Sequence, residues 1–156
     1  MLSDILVNLT NEIFVIKFIK RTTGEIRTMR AMKGVKKYVS GKGASYDAAS
    51  KGLVTVWDFD KMKELMDGGL SKEEAGPKSY RSIPLELILE ISVNGETHVI
   101  QSPVLKTFQF RWAGNQVEVA ALTEEAALAK LKLDCGMARK PRSLEVEIVK
   151  EVPYQP

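Results

Sequence analysis

Few side chains in this sequence are suited to covalent chemistry. His98 is its only histidine and Cys135 its only cysteine. One histidine cannot assemble a metal site. Nucleophilic catalysis would require it beside Cys135 or a serine, a matter of geometry rather than spacing. Asp58 and Asp60 stand two apart, which puts both on one face of a strand. Such a pair can hold Mg²⁺ or exchange protons. Where a strand runs out into a polar segment, the simpler reading is a solvated strand end. Gly41-Lys42-Gly43 lacks the spacing and the following Ser/Thr of a phosphate loop. Cys135 lies in a basic loop and reads as a buried or incidental thiol. Trp57-Asp58 is a single dipeptide with no repeat around it. These residues point away from an enzyme, and no catalytic residue, metal or cofactor is assigned.

Binding chemistry is better represented. Between Lys17 and Lys51 the chain carries ten basic residues against Glu25 and Asp47, a local charge of +8 in a chain whose net charge is +3. The remainder is therefore acidic, and the asymmetry predicts one basic region on a mildly acidic body. Arg27, Arg30, Lys33, Lys36, Lys37 and Lys42 are the phosphate candidates. Tyr38 and Tyr46 could stack on bases, and Tyr80 beside Arg81 offers a further stacking pair.

The elements that must position these groups follow from periodicity. Residues 3–10 read as a short helix with Ser3 as N-cap. Ile13–Ile19 is β-branched and aromatic, with Phe14, Ile16 and Phe18 on one face. A turn at Thr22–Glu25 around Gly24 leads to a strand over Ile26–Met32, giving a hairpin. Residues 33–52 form a Gly/Ser-rich basic loop. Leu53–Phe59 is a third strand. Residues 60–79 form a polar insertion with a short helix near Lys61–Met66. Tyr80–Ile83 is a fourth strand, and Pro84–Leu87 suits one 3₁₀ turn. Ile88–Val93, Asn94-Gly95 and Glu96–Gln101 make the clearest hairpin, because Asn-Gly is the preferred type I′ pair.

After Ser102-Pro103 a second pattern begins. It has strands at Thr107–Trp112 and Val117–Ala121, and a helix capped by Thr123 running to about Leu133. A basic loop over Asp134–Ser143 and a strand over Leu144–Val149 follow. The Pro153–Pro156 tail reads as loose. The expected architecture is α+β, mainly β: residues 1–102 as one domain and 103–152 as a β-β-α-β accessory module.

Three segments carry a resemblance. Phe18–Ala31 is a strand, a basic glycine-containing turn and a Met-Arg pair. Val54–Asp60 is an apolar run ending in an acid. Tyr80–Ile88 is an aromatic-Arg pair leading into a leucine-rich turn. Over about residues 10–95 the chain resembles the short WYL-like proteins of bacteriophages, built on an SH3/Sm-type small β-barrel. The insertion at 61–78 departs from that pattern, and the C-terminal module lies outside it. The resemblance implies binding rather than catalysis, although fold alone does not fix function.

Two partner classes stay open. One is nucleic acid or nucleotide on the basic barrel face. The other is a host protein, such as a defence or transcription factor, which a phage accessory protein would inhibit or adapt. Self-association through a strand edge is compatible with either. A 44% hydrophobic, 28% charged composition excludes a disordered chain. No apolar run approaches the ~20 residues that span a bilayer. The N-terminus has no basic region or cleavage site, and one cysteine allows no intrachain disulfide. The expected setting is cytoplasmic, in the host if phage-encoded.

Overall fold

A computed structural model describes residues 2–9, 11–34 and 51–155. The fold is α+β and mainly β, with two antiparallel sheets. In chain order the elements are α1 (Leu2–Asn8), β1 (Ile13–Ile19), β2 (Ile26–Met32), β3 (Leu53–Asp58), α2 (Phe59–Asp67), α3 (Lys72–Ala75) and β4 (Tyr80–Pro84). They continue with β5 (Ile88–Val93), β6 (Glu96–Val99), β7 (Val104–Trp112), β8 (Asn115–Ala121), α4 (Glu124–Asp134) and β9 (Glu145–Pro153). Short 3₁₀ turns at Gly76–Ser79 and Leu85–Leu87 bracket β4. Among the described residues no helix is long and apolar enough to cross a membrane.

The chain divides into two compact units. The first comprises 1–18 and 27–101, the second 19–26 and 102–156. The boundary in the chain falls at Gln101/Ser102, and the β1–β2 turn belongs to the second unit.

In the first unit a six-stranded sheet runs in the order β4-β3-β2-β1-β5-β6. It is open, with β4 and β6 at its edges. One face gathers the alternating apolar residues: Phe14, Ile16 and Phe18 from β1, Met29 and Ala31 from β2, and Val54 and Val56 from β3. Ile83, Ile88 and Ile91 join them, and Leu6 and Leu9 close over this core. Each such side chain contributes roughly 1.5–3 kcal/mol by leaving water. At its C-terminal end β3 is buried on both faces, because Trp57 points the other way into a cluster with Met62 and Ala75, whereas Thr55 on that face is exposed. The Trp57 indole donates to the Gly76 carbonyl at 3.2 Å.

The expected helix near Lys61–Met66 is longer, Phe59–Asp67. The unexpected α3 has a signal in the sequence: Ser71 and Glu74 form a reciprocal capping box. The Asn94-Gly95 turn has φ of 53° and 79°, the left-handed pair that type I′ demands.

In the second unit β7 is central, antiparallel to β8 on one side and β9 on the other. Phe108 and Phe110 face Ala126, Ala127 and Leu131 of α4. Thr123 caps α4 by accepting from the Ala126 N–H at 3.2 Å, and its hydroxyl donates to the Arg21 carbonyl at 2.6 Å. Gly24 is at φ +73°, and a Cβ there would sit 3.0 Å from the Ala126 Cβ, so glycine serves both the turn and the close approach. The C-terminal segment is more ordered than its composition implied. β9 extends to Pro153, shifts register opposite Thr107/Phe108, and is followed by a Tyr154 N–H bond to the Pro103 carbonyl at 3.0 Å.

Candidate anion-binding site

The inward alternation of β3 explains the centre of the site. Val54 and Val56 face the core, so Asp58 must face it too, and it is fully buried. Its cross-strand neighbour is Ala31, likewise fully buried. Asp58 therefore is not the solvated strand end its sequence context suggested. A buried carboxylate needs donors and counter-charge, and the flanking strands supply them. Arg27 of β2 donates from Nη2 to Asp58 Oδ2 at 3.0 Å, and Arg81 of β4 donates from Nε to the same oxygen at 2.7 Å. The other oxygen, Oδ1, accepts the Lys61 backbone N–H at 2.9 Å and so caps α2.

Two cations thus answer one anion, leaving a charge of +1 where the Arg27 and Arg81 side chains are 23% and 36% exposed. Each guanidinium has five N–H donors. Asp58 takes one from each, and among the described residues neither side chain makes a further hydrogen bond, although the Arg27 charge also acts on the Asp60 carboxylate. The carboxylate fixes both groups in place, which lowers the entropic cost of presenting their remaining donors to an oxyanion.

The other expected site residues are dispersed. Arg30 stands three residues from Arg27, on the opposite face of β2. Its backbone N–H donates to Asp60 Oδ2 at 3.0 Å, and Nε and Nη2 donate to Oδ1 at 3.2 and 3.1 Å. The Arg30 backbone N–H, with its guanidinium in support, holds the Asp60 carboxyl below its ordinary pKa despite some desolvation. Lys33 donates from Nζ to the Leu6 carbonyl at 2.8 Å, satisfying the C-terminal turn of α1.

Tyr80 is opposite Trp57 and packs on the Trp57–Met62–Ala75 cluster. Arg81, its neighbour, faces the other way, so the two do not form the expected stacking pair. Lys36, Lys37, Tyr38, Lys42 and Tyr46 lie outside the described residues. The arginine pair is at the Trp57–Tyr80 end of the β3–β4 ladder.

His98 lies on β6 with Nε2 3.8 Å from Glu96 Oε2, and Cys135 is exposed at the end of α4. Among the described residues no group of three or more His, Cys, Asp or Glu could hold a metal. No family model, curated protein or solved structure matches the chain.

Proposed function

We propose that this chain is a non-enzymatic binding protein of the phage WYL-like type, taking nucleic acid or a nucleotide by its phosphate groups on the basic face of an SH3/Sm-type small barrel. The carrying observation is the pair of guanidiniums, Arg27 and Arg81, locked onto one buried carboxylate oxygen. Two features support the barrel assignment. β5 returns to pair with β1 after a β1–β4 meander, and a 3₁₀ turn separates β4 from β5. The charge of +8 between Lys17 and Lys51 supports a polyanionic ligand.

The test is fluorescence anisotropy with a labelled oligonucleotide across a salt series. Binding should weaken with a log–log slope of about −0.7 to −0.9 per phosphate contacted. Reversal of Lys33, Lys36, Lys37 and Lys42 to Glu should weaken it uniformly across sequences. A flat salt dependence, or no binding at low salt, refutes the reading.

A second reading rests on β9. Among the described residues this nine-residue strand has a neighbour on one side only, and Ile148 and Val149 are exposed. An open strand edge with two exposed apolar residues among its charges suits strand addition by a host protein, or by a second copy of the chain. A stoichiometric partner retained by the wild type and lost with Ile148→Lys supports it. Retention by both counts against it.

A further inference from the structure

The second unit holds a group of uncommitted side chains that the phosphate reading does not use. At the tip of the β7–β8 hairpin lies an open cleft of about 330 Å³, lined by Arg111, Trp112, Asn115, Gln116, Ser143 and Glu145 among others. Trp112 is half-buried and packs against the core of this unit while lining the cleft, so its ring is a fixed surface. Asn115, Gln116 and Ser143 are exposed, and among the described residues their side chains have no hydrogen-bond partner. The one cation in the cleft is already answered, with Arg111 3.6 Å from Glu145 and 3.5 Å from Glu147.

The loop leading into Ser143 is different. Arg139, Lys140 and Arg142 are exposed, and among the described residues none makes an ion pair or hydrogen bond. Uncompensated positive charge therefore adjoins, in the chain, a cleft whose one arginine is already met by two glutamates.

We infer that this cleft and the Arg139–Arg142 loop form a binding site for single-stranded nucleic acid, separate from Arg27 and Arg81. The division of labour follows from the charges. A phosphate gains nothing inside the cleft, where Arg111 is answered by Glu145 of the lining and by Glu147 beyond it, but it is attracted to the loop. A flat, neutral heterocycle suits the cleft: Trp112 offers a stacking surface, and two free amides offer both donors and acceptors to a base edge. The volume lies at the small end of ligand pockets, the scale of one base rather than of a larger cofactor. Only an unstacked base can enter such a cleft, which selects single strands over duplex. Ala113 and Ser143, both lining the cleft, hold left-handed backbone conformations without being glycine, at φ 44° and 58°. Such positions persist where surrounding structure over-determines them.

The experiment is a ¹H–¹⁵N titration of the whole chain with oligo(dT) and with a duplex of equal length. It is paired with anisotropy on Arg139→Glu/Lys140→Glu/Arg142→Glu and on Asn115→Ala/Gln116→Ala. Oligo(dT) should shift the Trp112 indole signal and the Asn115 and Gln116 side-chain amides. The triple reversal should weaken oligo(dT) binding by about tenfold or more at low salt, and the double variant severalfold with an unchanged thermal midpoint. Duplex bound as tightly as oligo(dT) overturns the single-strand assignment. Silence of the cleft signals overturns the site. If residues around Arg27 and Arg81 then respond, the phosphate reading of the first unit stands alone, and if nothing responds both fall.

Discussion

The two units treat positive charge in opposite ways. In the first, Arg27 and Arg81 converge on buried Asp58, and Arg30 is tied to Asp60. In the second, Arg139, Lys140 and Arg142 stand exposed with no partner among the described residues. The first arrangement is built into the sheet, contributes to holding it, and presents its remaining donors from fixed positions. The second is tied to no carboxylate among the described residues. A count of lysines and arginines along the chain cannot distinguish them. What distinguishes them is which carboxylates the strands bring alongside.

The largest test of that contrast is Asp58→Ala. It strands two guanidiniums in a partly desolvated place and removes the α2 cap, so it should destabilise the protein by about 3–5 kcal/mol in urea unfolding. Reversing Arg139, Lys140 and Arg142 to Glu should stay within about 0.5 kcal/mol. Comparable losses for the two would erase the distinction. So would an Asp58→Ala protein within about 1 kcal/mol of wild type.

The next test sits in the second unit, where order depends on one glycine. Gly24→Ala must adopt φ +73° and bring its Cβ to 3.0 Å from the Ala126 Cβ. The expected cost is about 1–2 kcal/mol, read by thermal or urea unfolding. An unchanged midpoint would mean that the β1–β2 turn does not pack against α4 as described.

Much of this organisation is legible in the sequence, and the exceptions have physical causes. β1 and β2 declare themselves by β-branched alternation, and their bounds coincide with Ile13–Ile19 and Ile26–Met32. Thr123 declares the start of α4, and Asn94-Gly95 declares its hairpin. Burial of Asp58 is harder to read, because it depends on arginines 31 residues before it and 23 after it. The signal in the sequence is the inward register of Val54 and Val56, which competes with the general preference of an acid at a strand end for solvent. The same alternation places Tyr80 and Arg81 on opposite faces, because neighbours along a strand point apart. The extension of β9 ends on a proline, Pro153, a residue that reads as a strand breaker in sequence but that an edge strand tolerates.

A smaller effect tests the surface pair of the first unit. Asp60 has its pKa lowered chiefly by the Arg30 backbone N–H. A carboxylate depressed in the folded state contributes stability that is fully present above its unfolded value, near 3.9. That contribution is lost as pH falls through the lower folded value. Asp60→Asn should therefore flatten the acid limb of the stability profile below about pH 4. The pair is well exposed, so the change should remain under about 1 kcal/mol. An unaltered acid limb would show that Arg30 and Asp60 do not interact in solution.

The smallest effect compares the two hairpin turns. Asn94-Gly95 in the first unit and Ala113-Gly114 in the second have nearly the same backbone, at φ 53° and 79° against 44° and 80°. Asparagine tolerates the left-handed region because its short polar side chain bonds locally, whereas alanine meets the full Cβ penalty. Ala113→Asn should therefore stabilise the second unit by about 0.5 kcal/mol, and Asn94→Ala should destabilise the first by a similar amount. Chemical unfolding of the two variants side by side measures both. If Ala113→Asn is neutral or harmful, the neighbouring cleft residues, rather than the turn's own preference, set the conformation at Ala113. The strain there would then belong to the cleft.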